Sequence, residues 1–424
     1  MTSRPRPTTR ELLGIWILLL SMPLLAIAQR QTRGVSARKS QNRVLSFQFA
    51  SGQSALKIPF ELSNNLVLVQ AQLNHSQPLW FIFDTGANST LIDEKLVEKL
   101  KLRTRGRAQG NATGGAIQAE LIPGVSLALP GAKVFNQTVA SLPINGLSPM
   151  FGKSIGGIIG YDFIKQFVVE VDYDAKIINL YAPPSFKYSG SGDIVPVRFI
   201  NKKPFMNIKI KLEGREAVEG TFMIDTGAAE ALTVNSPFVR THRLLKSLTR
   251  IKEANLGGLG GSDKSITARV ENIQLGRFVI SNPLVSFSQA AKGSDALANY
   301  AGALGGEIFR RFTLILDYSR QRIILEPNAH LPESVEEDMS GIELGAEGED
   351  FKTLVINEVA ASSPAAEAGL QEEDELTAIN GRPVSEFSLE QIRQMLKQEG
   401  EGYVLKLKRG SQTLQVKLKM RRLI

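Results

Sequence analysis

The sequence "FIFDTGANSTLID", residues 81–93, recurs as "FMIDTGAAEALTV", residues 222–234, and this repeat is the main evidence for the fold. In each copy an apolar run of β-forming residues ends at an aspartate, Asp84 or Asp225, and Thr-Gly follows directly. β-Formers before the aspartate and a turn-forming glycine after it predict a strand that enters a tight loop. Catalytic groups often lie on loops that a rigid sheet holds. The repeat therefore predicts two equivalent loops, each with one carboxylate.

Both loops belong to a longer internal repeat, which is the pattern expected of a duplicated unit. Strand-like sequence precedes each loop, at 58–74 and at 195–213. After the loops, "GGIIGYDFIKQFVVEVDYDAKIINLY" (156–181) matches "GALGGEIFRRFTLILDYSRQRIILE" (302–326). Each copy is thus predicted to be an all-β unit, and the Pro-, Gly- and Ser-rich residues 181–193 are expected to link them.

With its parts in this order, the chain resembles the retropepsin-like aspartic proteases over most of residues 46–330. The order is Asp-Thr-Gly-Ala, a glycine-rich segment, and then two apolar residues with a glycine, at 158–160 and again at 303–305. In that family each of two lobes contributes one aspartate to a shared site, usually by homodimerisation. The resemblance implies a mainly β fold in which two lobes, residues 46–182 and 194–330, form a single-chain pseudo-dimer.

The chemistry of such a site requires two carboxyl groups. Groups about 3 Å apart cannot both ionise cheaply, so the pair shares one proton. One member then takes a proton from a water molecule, and the other hydrogen-bonds the developing oxyanion. We predict that Asp84 and Asp225 form this catalytic pair. The resemblance also gives supporting roles, interlocking hydroxyls and close backbone turns, to the residues that follow them: Thr85, Gly86, Thr226 and Gly227.

Glycine-rich patches at 110–115 and 255–261 lie between each aspartate loop and the next repeated strand. Glycines alone indicate only surface loops. Their position in the repeat favours flaps, which are hairpin tips that close over an extended peptide and pair with its backbone. The residues expected to contact substrate are Gly114, Gly115, Gly257, Gly258, Gly260 and Gly261.

The C-terminal residues 340–424 form a separate pattern. Ser363 and Ser388 are predicted N-caps of two short helices, and Asn380-Gly381 predicts a tight turn. Together with the strand-like "FKTLVINEVA" (351–360), these features resemble a PDZ domain, a small α+β unit that binds peptides by strand addition. We expect its groove to be separate from the aspartates. The predicted groove lies between the strand at 351–356 and the helix at 388–398, with Phe351, Leu354, Ile356 and Ile392.

The first 45 residues predict export. Residues 1–28 combine basic residues with an apolar run that ends in Ala26-Ile27-Ala28, as in a cleaved signal peptide, so a periplasmic or extracellular location is expected. An uncleaved membrane anchor is the alternative, and only then is a membrane partner expected. Residues 29–45 are basic and rich in Ser and Gln, which is typical of a flexible linker.

Composition excludes several other classes of function. The chain of 424 residues has no cysteine, so disulfides, thiol nucleophiles and cysteine-bound metals are excluded. Its net charge of +8 is unevenly spread, and no stretch interleaves basic and aromatic residues, so no nucleic-acid partner is expected. His75, His242 and His330 lack metal-ligand spacing, and we expect neither a metal nor another cofactor. The Gly-x-Ser-x-Gly match at 152–156 leads into a β-like run, where a serine hydrolase needs a helix.

These features predict an exported aspartic endopeptidase that hydrolyses peptides or proteins, with a PDZ domain that binds a peptide or partner. A non-catalytic scaffold, in which the paired lobes hold peptides without cleaving them, is the alternative. Presence of both aspartates favours the enzyme.

Both copies carry alanine after Asp-Thr-Gly, Ala87 and Ala228, where pepsin-like relatives commonly carry a hydroxyl that donates to the carboxylate. A donor to the ionised form lowers the pKa, so this pair should keep its shared proton to higher pH. We expect a bell-shaped kcat/KM profile centred in weakly acidic solution, with activity persisting towards neutrality. Replacing both alanines by Ser should move the alkaline limb to lower pH. An active double variant whose alkaline limb stays in place or moves upward would contradict this account.

Overall fold

Strands dominate the computed structural model, which describes residues 46–424. The predicted signal peptide, 1–28, and the predicted linker, 29–45, lie outside the described residues. Within the described part of the chain, no helix has the length and apolar character needed to span a membrane.

The first lobe is built almost entirely of strands and three short helices. The strands are β1 (Ser46–Phe49), β2 (Ser54–Ser63), β3 (Leu66–Leu73), β4 (Leu79–Phe83), β5 (Leu91–Asp93), β6 (Arg107–Ala112), β7 (Gly115–Leu129), β8 (Ala132–Leu142), β9 (Ile155–Ile159), β10 (Val168–Asp172) and β11 (Ile177–Tyr181). The helices are α1 (Glu94–Lys99), α2 (Ser148–Phe151) and α3 (Tyr161–Ile164), with a 3₁₀ turn at Ile144–Leu147.

The second lobe repeats this plan. Its strands are β12 (Asp193–Pro196), β13 (Arg198–Ile200), β14 (Lys203–Lys211), β15 (Val218–Ile224), β16 (Leu232–Val234), β17 (Lys252–Gly258), β18 (Gly261–Arg269), β19 (Asn272–Leu275), β20 (Phe278–Ser281), β21 (Leu284–Ser288), β22 (Gly302–Leu304), β23 (Phe312–Asp317) and β24 (Arg322–Pro327). The helices are α4 (Ser236–Thr241) and α5 (Gly306–Phe309), with 3₁₀ turns at Leu244–Ser247, Ser294–Ala296 and Tyr318–Arg320. The mainly β fold of both lobes is confirmed.

A shared sheet joins the two lobes. Its strands run in the order β12-β24-β23-β10-β11-β2, so three strands from the second lobe continue a sheet of the first. The joint is the antiparallel pair β10–β23, in which Val169 lies opposite Leu316 and Val171 opposite Leu314. All four side chains are fully buried, and they belong to a core that extends through both lobes. Burial of apolar side chains on both sides of the joint holds the lobes in a fixed relation.

A buried ion pair fixes the segment that leaves the second lobe. Arg311 has a fully buried side chain, and its guanidinium donates to the Glu307 carboxylate at 2.8 Å. Its Nη1 and Nη2 also donate to carbonyl oxygens of residues 330, 331, 333 and 334. A buried guanidinium needs this many acceptors because it has five N–H donors and no water to satisfy them.

The C-terminal unit, residues 340–424, has the expected α+β composition. Its strands are β25 (Ile342–Glu347), β26 (Thr353–Val359), β27 (Glu375–Ile379), β28 (Arg382–Pro383), β29 (Gly402–Arg409) and β30 (Gln412–Lys419), and its helices are α6 (Pro364–Glu367) and α7 (Leu389–Met395), with a 3₁₀ turn at Val384–Glu386. Ser363 and Ser388 cap α6 and α7 as the sequence predicts, and Ser388 forms a capping box with Gln391.

The prediction of the peptide groove in this unit named the wrong strand. The strand at 351–356 becomes β26, which is paired with β25 on one side and β27 on the other, so it has no free edge for a guest strand. Leu354, Ile356 and Ile392 are buried in the core of the unit, and Phe351 lies in the turn before β26 with positive φ. The strand at the edge of the sheet is β25, and the groove lies between β25 and α7.

The C-terminal unit also contacts both lobes. Ile424, at the C-terminal end of the chain, packs in the core of the lobes, and Arg269 of the second lobe donates to its carbonyl oxygen. On the other side of the unit, Arg393 of α7 donates to the carbonyl of Met150 in the first lobe at 2.8 Å. The sequence pattern could not show these contacts because they join residues that are more than 150 positions apart.

The Arg311 cluster gives a test of the connection between the lobes and the C-terminal unit. Arg311→Met should lower the free energy of unfolding by about 3 kcal/mol, because it removes one partner of a buried ion pair and leaves backbone carbonyls without donors. Denaturant unfolding measures this loss. Arg382→Met is the matched control, because its exposed pair with Glu386 should contribute less than about 1 kcal/mol. Equal effects of the two substitutions would contradict the role of Arg311.

Candidate active site

Parallel strand pairs hold the two aspartate loops. In the first lobe, β4 pairs with β9, and the Asp84 N–H donates to the Ile159 carbonyl at 3.0 Å. In the second lobe, β15 pairs with β22, and the Asp225 N–H donates to Leu304 at 2.9 Å. These partners are the repeated apolar residues before Gly160 and Gly305. These positions need glycine, because a Cβ at Gly160 would lie 2.4 Å from the Ser89 carbonyl oxygen and would collide with the loop backbone.

The loops bring the two predicted catalytic carboxyl groups together. A Cβ placed on Gly86 would lie 2.5 Å from Asp225 Cγ, and one placed on Gly227 would lie 2.4 Å from Asp84 Cγ. Each carboxyl group therefore occupies the space above the glycine of the opposite loop. Only glycine at both positions leaves room for this crossed arrangement.

The threonines interlock beneath the carboxyl groups. The backbone N–H of Thr85 donates to Thr226 Oγ1 at 3.1 Å, and that of Thr226 donates to Thr85 Oγ1 at 3.0 Å. Each hydroxyl in turn donates across the lobe boundary, Thr85 to the Ile224 carbonyl at 2.6 Å and Thr226 to the Phe83 carbonyl at 2.8 Å. Both threonines are buried, so four satisfied hydrogen bonds fix one loop against the other.

The environment of the pair keeps a proton on it. Desolvation, the negative charge of Asp225 and a hydrogen bond between the two carboxyl groups raise the pKa of Asp84 well above its usual value. The charge of Lys203 and the N–H of Gly86, which donates to Asp84 Oδ1 at 2.6 Å, oppose this shift. The balance favours a pair that shares one proton, as the sequence reasoning requires.

The flap glycines meet above the site. The first hairpin, β6–β7, turns at Thr113-Gly114, and the second, β17–β18, turns at Leu259-Gly260. The N–H of Gly260 donates to the Thr113 carbonyl at 3.0 Å, and a Cβ on Gly114 would lie 2.3 Å from the backbone of Gly261. Gly258 and Gly115 also contact the opposite tip. Gly257 faces open space and takes no part in this contact.

Sequence reasoning missed the residues that tether the first flap tip to the second lobe. Asp263 accepts a hydrogen bond from the Gly114 N–H at 3.0 Å, and Asp295 accepts one from the Thr113 hydroxyl at 3.4 Å. Asp263 lies inside the second flap itself and Asp295 lies in a 3₁₀ turn, so neither stood out from ordinary polar loop residues. Their role depends on the lobes facing each other.

Apolar side chains from both lobes form one cluster beside the loops and the flaps. Its partly buried members include residues of the loops, the flaps and the segment before β9: Ala87, Ile117, Leu147, Met150, Ala229 and Leu259. The two walls are not equivalent, because Glu230 occupies the position that Ser89 has in the first repeat. Beside Glu230, a cavity of about 1350 Å³ extends to the start of β25 in the C-terminal unit.

The fold and this site define a two-lobed, mainly β protein in which two Asp-Thr-Gly loops meet, and parts of the chain match known families. An aspartyl protease family model matches residues 69–163, which include the loop of Asp84 and the first flap. A PDZ domain model matches residues 330–408. The chain therefore carries an aspartyl protease domain and a PDZ domain.

Individual relatives resemble only small parts of the chain. A probable CtpA-like serine protease from Staphylococcus haemolyticus (strain JCSC1435) is 36% identical over 90 residues, which are 20% of this chain and 18% of that protein. The chain thus spans less than a fifth of that relative. A solved structure of a photosystem II D1 C-terminal processing protease matches 19% of this chain and 22% of its own at 22% identity, with a TM-score of 0.18.

The crossed arrangement predicts that a single methyl group disturbs the site. Gly86→Ala should lower kcat/KM by about a hundredfold, because the added Cβ displaces the Asp225 carboxyl group from its position. Gly402→Ala, in β29 of the C-terminal unit, is the matched control, since a Cβ there meets nothing closer than 3.8 Å, and it should change kcat/KM by less than about threefold. Steady-state kinetics on one peptide compares the two. A Gly86→Ala enzyme with the activity of the control would contradict the crossed geometry.

Proposed function

We propose that this protein is an aspartic endopeptidase that hydrolyses peptide bonds by a water molecule activated between Asp84 and Asp225. One observation supports it most directly: two carboxyl groups from different lobes lie together above interlocked threonines and beneath two opposed flaps. Family matches to an aspartyl protease and a PDZ domain agree with this assignment.

The mechanism follows from the shared proton. A water molecule between the carboxyl groups gives a proton to the ionised member and attacks the carbonyl carbon of the peptide bond. The protonated member donates a hydrogen bond to the carbonyl oxygen as negative charge develops there. The tetrahedral intermediate then collapses, the C–N bond breaks, and the amine leaves with a proton from the pair. No covalent link to the protein forms.

The flaps supply the substrate site. An extended peptide lying over the pair would take the place of part of the contact between the flap tips and would pair with flap backbone groups. The apolar cluster formed by both lobes favours substrates with apolar side chains next to the cleaved bond, because burying such a side chain is favourable.

A serine mechanism is less consistent with the geometry. A serine nucleophile needs an adjacent base, and among the side-chain hydrogen bonds of residues 46–424 none joins a serine hydroxyl to a lysine or histidine. Ser154 of the Gly-x-Ser-x-Gly match is followed by the strand β9 rather than by a helix. The named serine protease relative matches only 20% of this chain.

A non-catalytic scaffold also accounts less well for the pair. Holding two desolvated carboxyl groups together raises the pKa of Asp84 and costs stability whenever the pH is high enough to ionise both. A peptide could be held by the flaps and the apolar cluster alone. Two carboxyl groups held together at this cost in stability are expected where their shared proton takes part in a reaction.

Export is part of the proposal. Residues 1–28 have the pattern of a signal peptide, so we place the mature protein in the periplasm or outside the cell. Fractionation of expressing cells and N-terminal sequencing of the product test this placement and distinguish cleavage after Ala28 from an uncleaved anchor.

Replacing either aspartate should abolish turnover. Asp84→Asn and Asp225→Asn should each lower kcat by at least about a thousandfold, because Asn can neither hold nor accept the shared proton. Cleavage of a denatured protein, with and without a transition-state-mimicking aspartic protease inhibitor, measures the loss. Asp350→Asn, at an exposed carboxylate of the PDZ domain, is the control. Substantial activity in either aspartate variant would exclude the paired mechanism.

The same variants separate catalysis from folding. The pKa of Asp84 is higher in the folded than in the unfolded protein, so folding retains a proton and stability decreases as the pH rises above the unfolded-state value. The Asn side chain does not titrate, so the Asp84→Asn protein lacks this loss of stability. The Tm of Asp84→Asn near pH 7 should therefore equal or exceed that of the parent protein, whereas a marked decrease would mean that inactivity reflects misfolding.

A further inference from the structure

The PDZ groove already holds a piece of the first lobe. Helix α2 and Gly152, which we call the docked segment (residues 148–152), lie between β25 and α7. A Cβ on Gly152 would lie 3.7 Å from Ala346 Cβ on β25 and 4.0 Å from Leu389 Cβ at the start of α7. Arg393 of α7 donates to the Met150 carbonyl at 2.8 Å. The docked segment thus covers the end of the groove at Ala346 and Leu389, along the edge of β25 to which a guest peptide would add.

The other end of the groove is closed by Asp338. Its Oδ1 accepts hydrogen bonds from the backbone N–H groups of Ser340 at 2.9 Å, Gly341 at 2.6 Å and Ile342 at 3.3 Å. Consecutive N–H groups of this kind can capture a peptide carboxylate. Here the carboxylate of Asp338 takes them, so this nest is filled from within the molecule, while a cavity lined by the start of β25 and by α7 lies beside it.

The docked segment is also part of the protease cleft. Met150 belongs to the apolar cluster that contains Ala87 and Ala229, the alanines that follow the catalytic Asp-Thr-Gly loops. Past Gly152 the chain enters β9, whose Ile159 carbonyl accepts the Asp84 N–H. One short segment therefore contacts the PDZ domain, lines the apolar subsite and leads to the strand that holds a catalytic loop.

We propose that the docked segment is an internal ligand of the PDZ groove, and that Arg393 is a positioning residue that fixes Met150 in the apolar subsite. Peptides that enter the groove compete with the segment and change which substrates are cleaved. The effect on cleavage rests on the proposed function, whereas the docking itself does not.

Two features leave a donor and space for a second ligand at the groove. Arg393 Nη1 is buried without a hydrogen-bond partner among residues 46–424, so a donor remains for a ligand carbonyl. The start of β25 also opens into the cavity that borders Ala229 and Glu230, so a substrate chain leaving the cleft reaches the groove. The docked segment is part of the chain, so its effective concentration at the groove is in the mM range. A substrate already bound in the cleft has a similar effective concentration there and can compete with the segment.

Arg393→Ala tests the positioning role. It should raise KM about tenfold, with little change in kcat, for a peptide with a bulky apolar residue at the cleaved bond, because a charged hydrogen bond to Met150 is lost. A peptide with Ala there should be much less affected. Arg393→Lys should recover most of the loss, and Arg382→Ala, on an exposed arginine of the same domain, should have no effect. Equal effects of Arg393→Ala and Arg382→Ala would overturn the proposal.

A disulfide provides the decisive experiment, because the chain has no cysteine of its own. Gly152→Cys with Ala346→Cys places two Cβ atoms 3.7 Å apart, within the range of natural disulfides. Added to Arg393→Ala, the oxidised pair should restore the parent KM, and reduction should remove this effect. Failure of the folded protein to form the disulfide, or an oxidised protein that keeps the raised KM, would overturn the proposal.

Binding of a labelled peptide with the sequence of residues 146–154, GLSPMFGKS, tests the internal ligand separately from the proposed endopeptidase function. It should bind the reduced Gly152→Cys/Ala346→Cys protein, which keeps Arg393, at least about tenfold more tightly than the same protein in its oxidised form, whether or not the protein cleaves peptides. A protein that shows this difference but cleaves nothing would contradict the proposed function and leave the internal ligand intact. Equal binding to both forms would overturn the internal ligand.

Discussion

The crossed contact between the two Asp-Thr-Gly loops is the constraint on which the rest of the molecule depends. Thr85 and Thr226 exchange hydrogen bonds across the lobe boundary, and each carboxyl group lies above the glycine of the other loop. Neither lobe has a complete site alone. Every larger feature, including the shared sheet and the opposed flaps, keeps the two loops in the register that this contact needs.

Because both lobes belong to one chain, the two loops are held in register by strand pairing and a core that extends through both lobes. Strands β10 and β23 pair across the lobe boundary and bury apolar side chains on both sides. The entropic cost of bringing the lobes together is therefore met during folding, so the loops are already positioned in the folded chain. The duplicated halves are also free to differ, and Glu230 opposite Ser89 is one such difference at the rim of the cleft.

The PDZ domain packs against both lobes and is more than an attachment at the end of the second one. Ile424 packs in the core of the lobes, and Arg393 holds the carbonyl of Met150. Under the proposed function, this arrangement links recognition of a peptide at the groove to the shape of the apolar subsite. It also explains why the edge strand of the PDZ sheet needs no external partner to cover it: residues 148–152 lie against it.

The two β lobes, the aspartate pair, the flap positions and the PDZ-like unit could be predicted from the sequence, because each rests on a local pattern: Asp-Thr-Gly after a strand, glycines at hairpin tips, capped helices at Ser363 and Ser388. The sheet shared by the lobes, the flap tethers at Asp263 and Asp295, and the PDZ groove beside β25 became visible only in the folded chain. The alternating pattern of a strand shows which face is buried but not which strand lies next to it, so Leu354 and Ile356 were assigned to an edge that β25 occupies. Contacts between residues far apart in the chain depend on packing, and a local pattern contains no record of them.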